Sequence, residues 1–346
     1  MDALLEVVSK GNDFLWSFLL ILLLCGTGVY YTVRLKFIQV RKFGEGCRQV
    51  FGHIKLNGEK HEKGEMSPFQ SIATAIAAQV GTGNLAGAAT ALIGGGPGAI
   101  FWMWISAFFG MATIYAEAVL AQTYKTEVNG EVTGGPVYYI KAAFKGTFGK
   151  VLAALFAVFI VLALGFMGNM VQSNSIGQTC GNAFGIPPWI IGAVVAVASA
   201  FVFLGGVQRV ASVTEKLPIM AVLYLLGGLV LLLLRLPYLP ETFGMIFKYA
   251  FFPNAILGGG LGYALKTAIS QGVKRGLFSN EAGMGSTPHA HAMAKVKTPH
   301  EQGVVAMIGV FIDTFLVLTM TALVVISTLY AGNGPLAGGA AEGIDQ

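Results

Sequence analysis

Thr74-Ala-Ile-Ala-Ala-Gln79-Val-Gly81-Thr82-Gly83-Asn84-Leu-Ala-Gly87-Ala-Ala-Thr90 lies inside an otherwise apolar run of membrane-spanning length, and its reading decides the fold. A lipid-facing helix cannot leave the amides of Gln79 and Asn84 or the hydroxyl of Thr82 unsatisfied in hydrocarbon. Gly81 and Gly83 remove the side chains that would keep the helix regular. Together these residues predict a helix broken near the bilayer midplane and lining a cavity, a device that aims backbone groups at a small ion or zwitterion. The competing reading is a close helix–helix contact through small residues. That contact needs the glycines but not Gln79 and Asn84 beside them, which favours the break.

Outward from this stretch the chain reads as membrane throughout. Of its 346 residues 55% are hydrophobic and only 11% charged, and the mean hydropathy is +0.68, far from a soluble domain. Eight stretches are long enough, at about 20 residues each, to cross a bilayer: 15–33, 69–93, 98–121, 151–171, 188–206, 217–234, 254–272 and 303–329. The first is not a cleaved signal, because Asp2, Glu6 and Asp13 outweigh Lys10 before it and no small-x-small site follows. Cys25, Cys47 and Cys180 have neither metal-ligand nor disulfide spacing and read as free thiols.

Charge sets the expected orientation. Of the 22 lysines and arginines, 18 fall on one side: between spans one and two, after span three, after span five and after span seven. The positive-inside rule makes that side cytoplasmic and puts the N-terminus outside. The +5 net charge is then topology, met by anionic lipid headgroups, and needs no nucleic acid.

Several polar groups sit where lipid is expected. Asp313 lies about 15 Å into span eight at 1.5 Å per residue, and must face the bundle interior, as a cation or proton site or as a cap on a neighbouring backbone. Glu117, near the inner end of span three, is expected to snorkel or to pair with a loop arginine. Lys266 is ambiguous, and Asn169, Gln172 and Asn174 are interfacial or, for Gln172, turned inward. Span seven repeats the character of span two, with Gly258-Gly-Gly260-Leu-Gly262 and then Thr267-Ala-Ile-Ser270-Gln271-Gly272. The two spans run in opposite directions with four others between them, so each is placed to open a five-helix repeat of inverted topology.

Enzyme readings fail on context. Gly81-Thr-Gly83-Asn-Leu-Ala86 fits a dinucleotide fingerprint in form, but no strand precedes it. Glu281, His289, His291 and His300 lack zinc-site spacing and are expected to be solvated in a basic loop.

Gly95-Gly-Pro-Gly98-Ala-Ile-Phe101-Trp102-Met103-Trp104-Ile-Ser-Ala-Phe-Phe-Gly110 resembles the signature of the sodium:alanine/glycine symporters. Arg275-Gly-Leu-Phe278-Ser-Asn280-Glu281-Ala-Gly283-Met-Gly285-Ser286 is similar to that family's loop after its seventh helix, and Gly81-Thr-Gly83-Asn84 and Gln172-Ser-Asn174 also match. The resemblance covers essentially the whole chain. It implies an all-α, multi-pass protein of the leucine-transporter type in a single transmembrane domain, 1–346, with an extra helix at 15–33, a first repeat over 69–234 and a partial second repeat over 254–329. It implies sodium-coupled symport of alanine or glycine across the plasma membrane, by a monomer; a passive channel or a proton-coupled carrier is the alternative. Family members carry further helices beyond the eighth, so the chain is expected to be a fragment of a longer product, with a truncated, inactive homologue as the alternative.

The chemistry of a zwitterion then assigns candidate roles. The carboxylate is expected on the exposed N–H groups and positive half-helix end of Gly81, Thr82, Gly83 and Asn84. The ammonium is expected on carbonyls from Ala75 to Gln79 and on Ser270 or Gln271, with Gln172 reaching in. Phe166 is a candidate lid. Sodium, the co-transported ion, is expected on the Thr82 hydroxyl and on carbonyls freed by the break.

Overall fold

A chain in hydrocarbon must satisfy every backbone N–H and C=O within itself, so the apolar runs become helices. The computed structural model describes residues 2–52, 73–74, 76–77, 79–214, 216–252 and 261–337. The first helix runs as α1 (Asp2–Phe14), a wider π-type turn at Leu15–Leu19, and α2 (Leu20–Arg34). Two short helices, α3 (Ile38–Arg41) and α4 (Phe43–Phe51), follow it. The opening stretch of span two is helical at Ala73–Thr74 and Ile76–Ala77, then bends at Val80 and Gly81. It resumes as a π-type turn, Gly83–Gly87, and α5 (Ala88–Gly95).

Helix α6 (Gly98–Thr123) follows, then a hairpin of β1 (Thr126–Val128) and β2 (Glu131–Thr133), and α7 (Pro136–Ala143). Next come α8 (Gly146–Ile160), a π-type stretch Val161–Gly168 and α9 (Asn169–Phe184), which form one continuous helix of 39 residues. After α10 (Pro188–Phe203), α11 (Gly206–Thr214) and α12 (Pro218–Leu234), an amphipathic α13 (Leu239–Phe251) packs against α6. The chain continues through α14 (Leu261–Asn280), the short α15 (Pro288–Ala292) and α16 (Pro299–Val310). A π-type turn at Phe311–Leu318, α17 (Thr319–Val325) and a last π-type turn at Ile326–Tyr330 complete the final helix.

Helix α6 is the axis of the molecule. It packs against α2, α13, α14, α15 and α16, and two apolar clusters meet along it, one built on Ile114, Met307 and Ile308, the other on Leu92, Ile100, Met103 and Ile246. Small residues allow the approach: a Cβ at Gly303 would lie 2.7 Å from the Tyr115 ring, and one at Gly98 would strike the Tyr249 carbonyl. Among the described residues four helices are long and apolar enough to cross a membrane: Gly98–Thr123, Gly146–Phe184, Arg209–Leu234 and Pro299–Tyr330. Leu20–Arg34 and Pro188–Phe203 are shorter apolar helices. The molecule is an all-α, multi-pass membrane protein with one small hairpin among the described residues.

The structure corrects several sequence expectations. Span four does not stop at residue 171 but continues to Phe184, because Asn169 and its polar neighbours prolong the helix instead of ending it. Span seven, expected over 254–272, is helical from Leu261 to Asn280, residues 254–260 lying outside those described. Lys274 and Arg275, expected in a loop, are therefore helical. Gly258–Gly262 falls largely outside the described residues. The real interruption follows Asn280, where Glu281, Gly283 and Gly285 take φ of 57°, 84° and 75°. That left-handed run is open to glycine and strained for Glu281, and it ends the helix.

Candidate functional site

The two interruptions face each other. The backbone of the break in span two lies so close to the end of α14 that a Cβ at Gly83 would sit 2.9 Å from the Ser279 Cα. Asn84, on the π-type turn of span two, bridges three elements. Its Oδ1 accepts from the Gly81 N–H at 2.8 Å, which pins the bend. Its Nδ2 donates to the Ser279 hydroxyl at 3.1 Å, to the Asp313 carbonyl at 3.0 Å and to Asp313 Oδ1 at 2.7 Å.

Asp313 sits on a π-type turn of the last helix, a geometry frequent at functional sites because it displaces side chains from the regular helical ladder. Its Oδ2 accepts from the hydroxyls of Ser279 at 3.0 Å and Thr314 at 2.8 Å. Asn280 Nδ2 lies 3.4 Å from Thr314 Oγ1, and its Oδ1 takes the Ala282 N–H at 3.1 Å. Asn84, Asn280, Asp313 and Thr314 are all fully buried. The hydrogen-bond partners of the Asp313 carboxylate among the described residues are neutral amides and hydroxyls. A carboxylate so placed is costly unless a cation joins it.

Gln79 and Thr82 extend the site. Gln79 Nε2 donates to the Asn280 carbonyl at 2.9 Å, while its Oε1 is buried without a hydrogen-bond partner among the described residues. The Thr82 N–H reaches Gln172 Oε1 at 3.3 Å, and the Thr82 hydroxyl is likewise buried and unpaired among the described residues. These two groups, an acceptor and a hydroxyl, are free to meet a ligand ammonium or cation. Arg275, one turn before Ser279, leaves its buried Nε unpaired too.

Among the sequence candidates, Gln79, Gly81, Thr82, Gly83, Asn84 and Gln172 come together here. Ala75 lies outside the described residues. Phe166 is 60% exposed on the surface of the long helix and has no place in the cluster. Ser270 and Gln271 sit more than two turns before the break, and Gln271 packs instead 3.2 Å from the Cβ position of Gly94, at the far end of span two. Ser279, Asn280 and Thr314 are site residues that sequence reasoning misses. The signal is present in Arg275–Ser286, but that motif reads as a loop beyond the membrane rather than as a break within the bundle.

Three further expectations change. Glu117 neither snorkels nor pairs with arginine: it is buried, and its oxygens accept the N–H groups of Gly283 at 2.9 Å and Gly285 at 3.1 Å. Lys266 is exposed on α14. The histidines do not form one solvated cluster. His291 is buried, its Nδ1 accepting from Gln302 at 2.8 Å; His289 faces the Gly134 carbonyl at 2.9 Å, and His300 bridges Tyr115 and Glu45.

The sequence matches the profile of the Sodium:alanine symporter family over residues 1–344. It is 45% identical over 322 residues to the sodium/alanine symporter AgcS of Methanococcus maripaludis, covering 92% of this chain and 70% of that protein. It is 42% identical over 329 residues to the probable sodium/glutamine symporter GlnT of Bacillus subtilis, covering 94% of this chain and 66% of that protein. A putative sodium/proton-dependent alanine carrier of B. subtilis, YrbD, is 41% identical over 324 residues, 93% of this chain and 64% of that protein. With a family profile matched along nearly its whole length, and with two broken helices meeting on a buried carboxylate, the chain belongs to the sodium:alanine symporter family and is a membrane transporter, not an enzyme.

Proposed function

We propose that the full-length protein carries alanine or glycine inward with sodium by alternating access, and that sodium binds among Asp313, Asn84, Ser279 and Thr314. The observation that carries this reading is the Asp313 carboxylate, fully buried and held by neutral groups. Sodium as cargo supplies the missing positive charge, and the carboxylate, the hydroxyls and the carbonyls of the breaks supply hard oxygen ligands. The Thr82 hydroxyl, unpaired and buried, is a further candidate ligand.

The amino-acid site lies beside it. The positive end of the helix that resumes at Gly83 suits the substrate carboxylate, and Gln79 Oε1 suits the ammonium. Bound sodium thus fixes the Asn84 side chain that shapes the substrate end of the same break, which is how one affinity comes to depend on the other. With the basic end of the bundle cytoplasmic and the N-terminus outside, each inward charge gains about 2.3 kcal/mol per 100 mV. The two opposed breaks support a leucine-transporter-type inverted repeat as the frame.

Reconstituted full-length protein is expected to accumulate labelled alanine under an inward sodium gradient and to show trans-stimulated exchange. Equal uptake with potassium, or with a proton gradient alone, overturns the sodium assignment. Linear, unsaturable flux without exchange identifies a pore instead. Competition by glutamine, set against alanine and glycine, decides the substrate among the classes that the relatives' names span.

A further inference from the structure

Span three holds both ends of the segment that follows the break in span seven. At the near end, the two Glu117 oxygens each accept one backbone N–H, from Gly283 at 2.9 Å and Gly285 at 3.1 Å. Both glycines have positive φ, and a Cβ at Gly285 would lie 2.8 Å from the Phe156 ring and 3.0 Å from Pro136. The Ser286 hydroxyl donates to Glu281 across the same turn. At the far end, about 7.5 Å further along α6 at 1.5 Å per residue, the Gln122 amide donates to the carbonyls of His291, Ala292 (3.3 Å) and Ala294 (2.9 Å). Lys125 Nζ adds a contact to the Ala294 carbonyl at 3.1 Å.

The polarity of this pairing is matched. The left-handed turn after α14 presents the N–H groups of Gly283 and Gly285, and the end of the short α15 presents the carbonyls of His291, Ala292 and Ala294. Helix α6 offers a carboxylate to the leading end and amide and ammonium donors to the trailing end. We infer that Glu117 and Gln122 are positioning residues: they lock residues 283–294 to span three through the backbone, and so fix Ser279 and Asn280 in register with Asp313 and Asn84. The glycines therefore shape the break without making it a free hinge. Because Ser279 lies four residues before Gly283, loosening the lock moves a sodium-site hydroxyl while leaving the site's own side chains intact. The sodium consequence rests on the functional reading above; the lock itself does not.

Two measurements on the full-length protein separate these claims. The first is amide hydrogen exchange across Glu281–Ser286, which needs no sodium. Glu117→Gln keeps one acceptor and turns an amide NH₂ toward the other N–H, and is expected to speed exchange there at least tenfold. The second is sodium dependence of alanine uptake. Glu117→Gln and Gln122→Met are each expected to raise the half-saturating sodium concentration about tenfold, with the alanine KM at saturating sodium changed less than about threefold; Glu117→Asp, keeping two acceptor oxygens, is expected to recover part of the shift. A maximal rate that falls while the sodium dependence stays put overturns the positioning role, as does unchanged exchange. If Glu117→Gln fails to assemble, Gln122→Met and Glu117→Asp carry both readouts, and the same two outcomes overturn the role. Sodium-independent uptake by the wild type overturns the functional reading and leaves the exchange measurement to decide the lock.

Discussion

The helices that meet at the polar cluster and the helices that surround them differ in the opposite sense from a soluble protein. In the most apolar part of Gly98–Thr123, 61% of residues are buried, and in Pro299–Tyr330, 56%. The corresponding figures are 6% for Gly146–Phe184 and 12% for Arg209–Leu234. Yet the outer pair is the more apolar, presenting Phe159 and Leu234 at exposures of 64% and 73%, with Val197 and Phe201 at 73% and 66% on the neighbouring α10. The inner pair carries Gly98, Gly110, Ser106, Glu117, Gly303, Asp313 and Thr314. Where the solvent is hydrocarbon, apolar side chains gain little from burial, and interiors are selected for close backbone approach and for satisfied polar groups. Hydrophobicity here marks the outside, and polarity marks the working interior.

The test with the largest expected effect removes the charge at the centre of the inner pair. Asp313→Asn is expected to reduce sodium-driven uptake in reconstituted vesicles by at least about a hundredfold, while Val197→Ala on the outer surface leaves it within twofold. A retained sodium dependence in Asp313→Asn breaks the proposed cation site. Asn84→Ala comes next. It strips a donor from Asp313 and the acceptor from the Gly81 N–H, each loss worth about 1–3 kcal/mol for a buried group. A tenfold or greater loss of sodium or alanine affinity is expected by binding titration, and thermal melting run in parallel separates this from simple instability.

Glycine substitutions sharpen the contrast without touching the site. A Cβ at Gly98 collides with the Tyr249 carbonyl, whereas one at Gly192 meets nothing within 4 Å. Gly98→Ala is expected to cost about 1–3 kcal/mol by overpacking. Gly192→Ala is expected to be neutral or to stabilise by up to about 1 kcal/mol, since alanine favours the helix. Melting temperatures in detergent check both, and equal effects at the two positions erase the inner–outer distinction.

The last test, confined to acid pH, concerns the basic end of the inner bundle. An amide nitrogen only donates, so His291 Nδ1 accepts from Gln302 and the ring is neutral. Burial pulls its pKa down from the ordinary 6.5 to about 4. The folded-state value is depressed, so this stability is present in full above about pH 6.5 and is lost as pH falls toward 4, an amount of about 3 kcal/mol at most. His291→Gln is expected to flatten the loss of melting temperature across that window; an unchanged slope removes His291 from the acid response.

The break at Gly81–Asn84 is legible in the sequence because amides, a hydroxyl and glycines interrupt an apolar run, and no alternative environment suits them. The helical membrane class is legible because composition and run length leave few other structures in lipid. Gln79, Thr82 and Gln172 are legible too, since polar residues at depth must turn inward. Sequence alone does not pair span two with the right residues of span seven. Ser270 and Gln271 are favoured by lying within the apolar stretch, and hydropathy falls off at Lys274 and Arg275 although the helix continues to Asn280. Whether Arg275–Ser286 lies inside the bundle or beyond it depends on helix α6. Glu117 and Gln122, distant in sequence, satisfy the backbone groups that the left-handed turn at Glu281–Gly285 exposes. Asp313 is legible as an ionisable group that has to face inward, but its partners Asn84 and Ser279, respectively 229 and 34 residues away, are decided by packing alone. Local pattern determines which groups cannot face lipid, whereas only the tertiary structure determines which groups meet, because hydrogen bonds between separate helices leave no periodic trace along the chain.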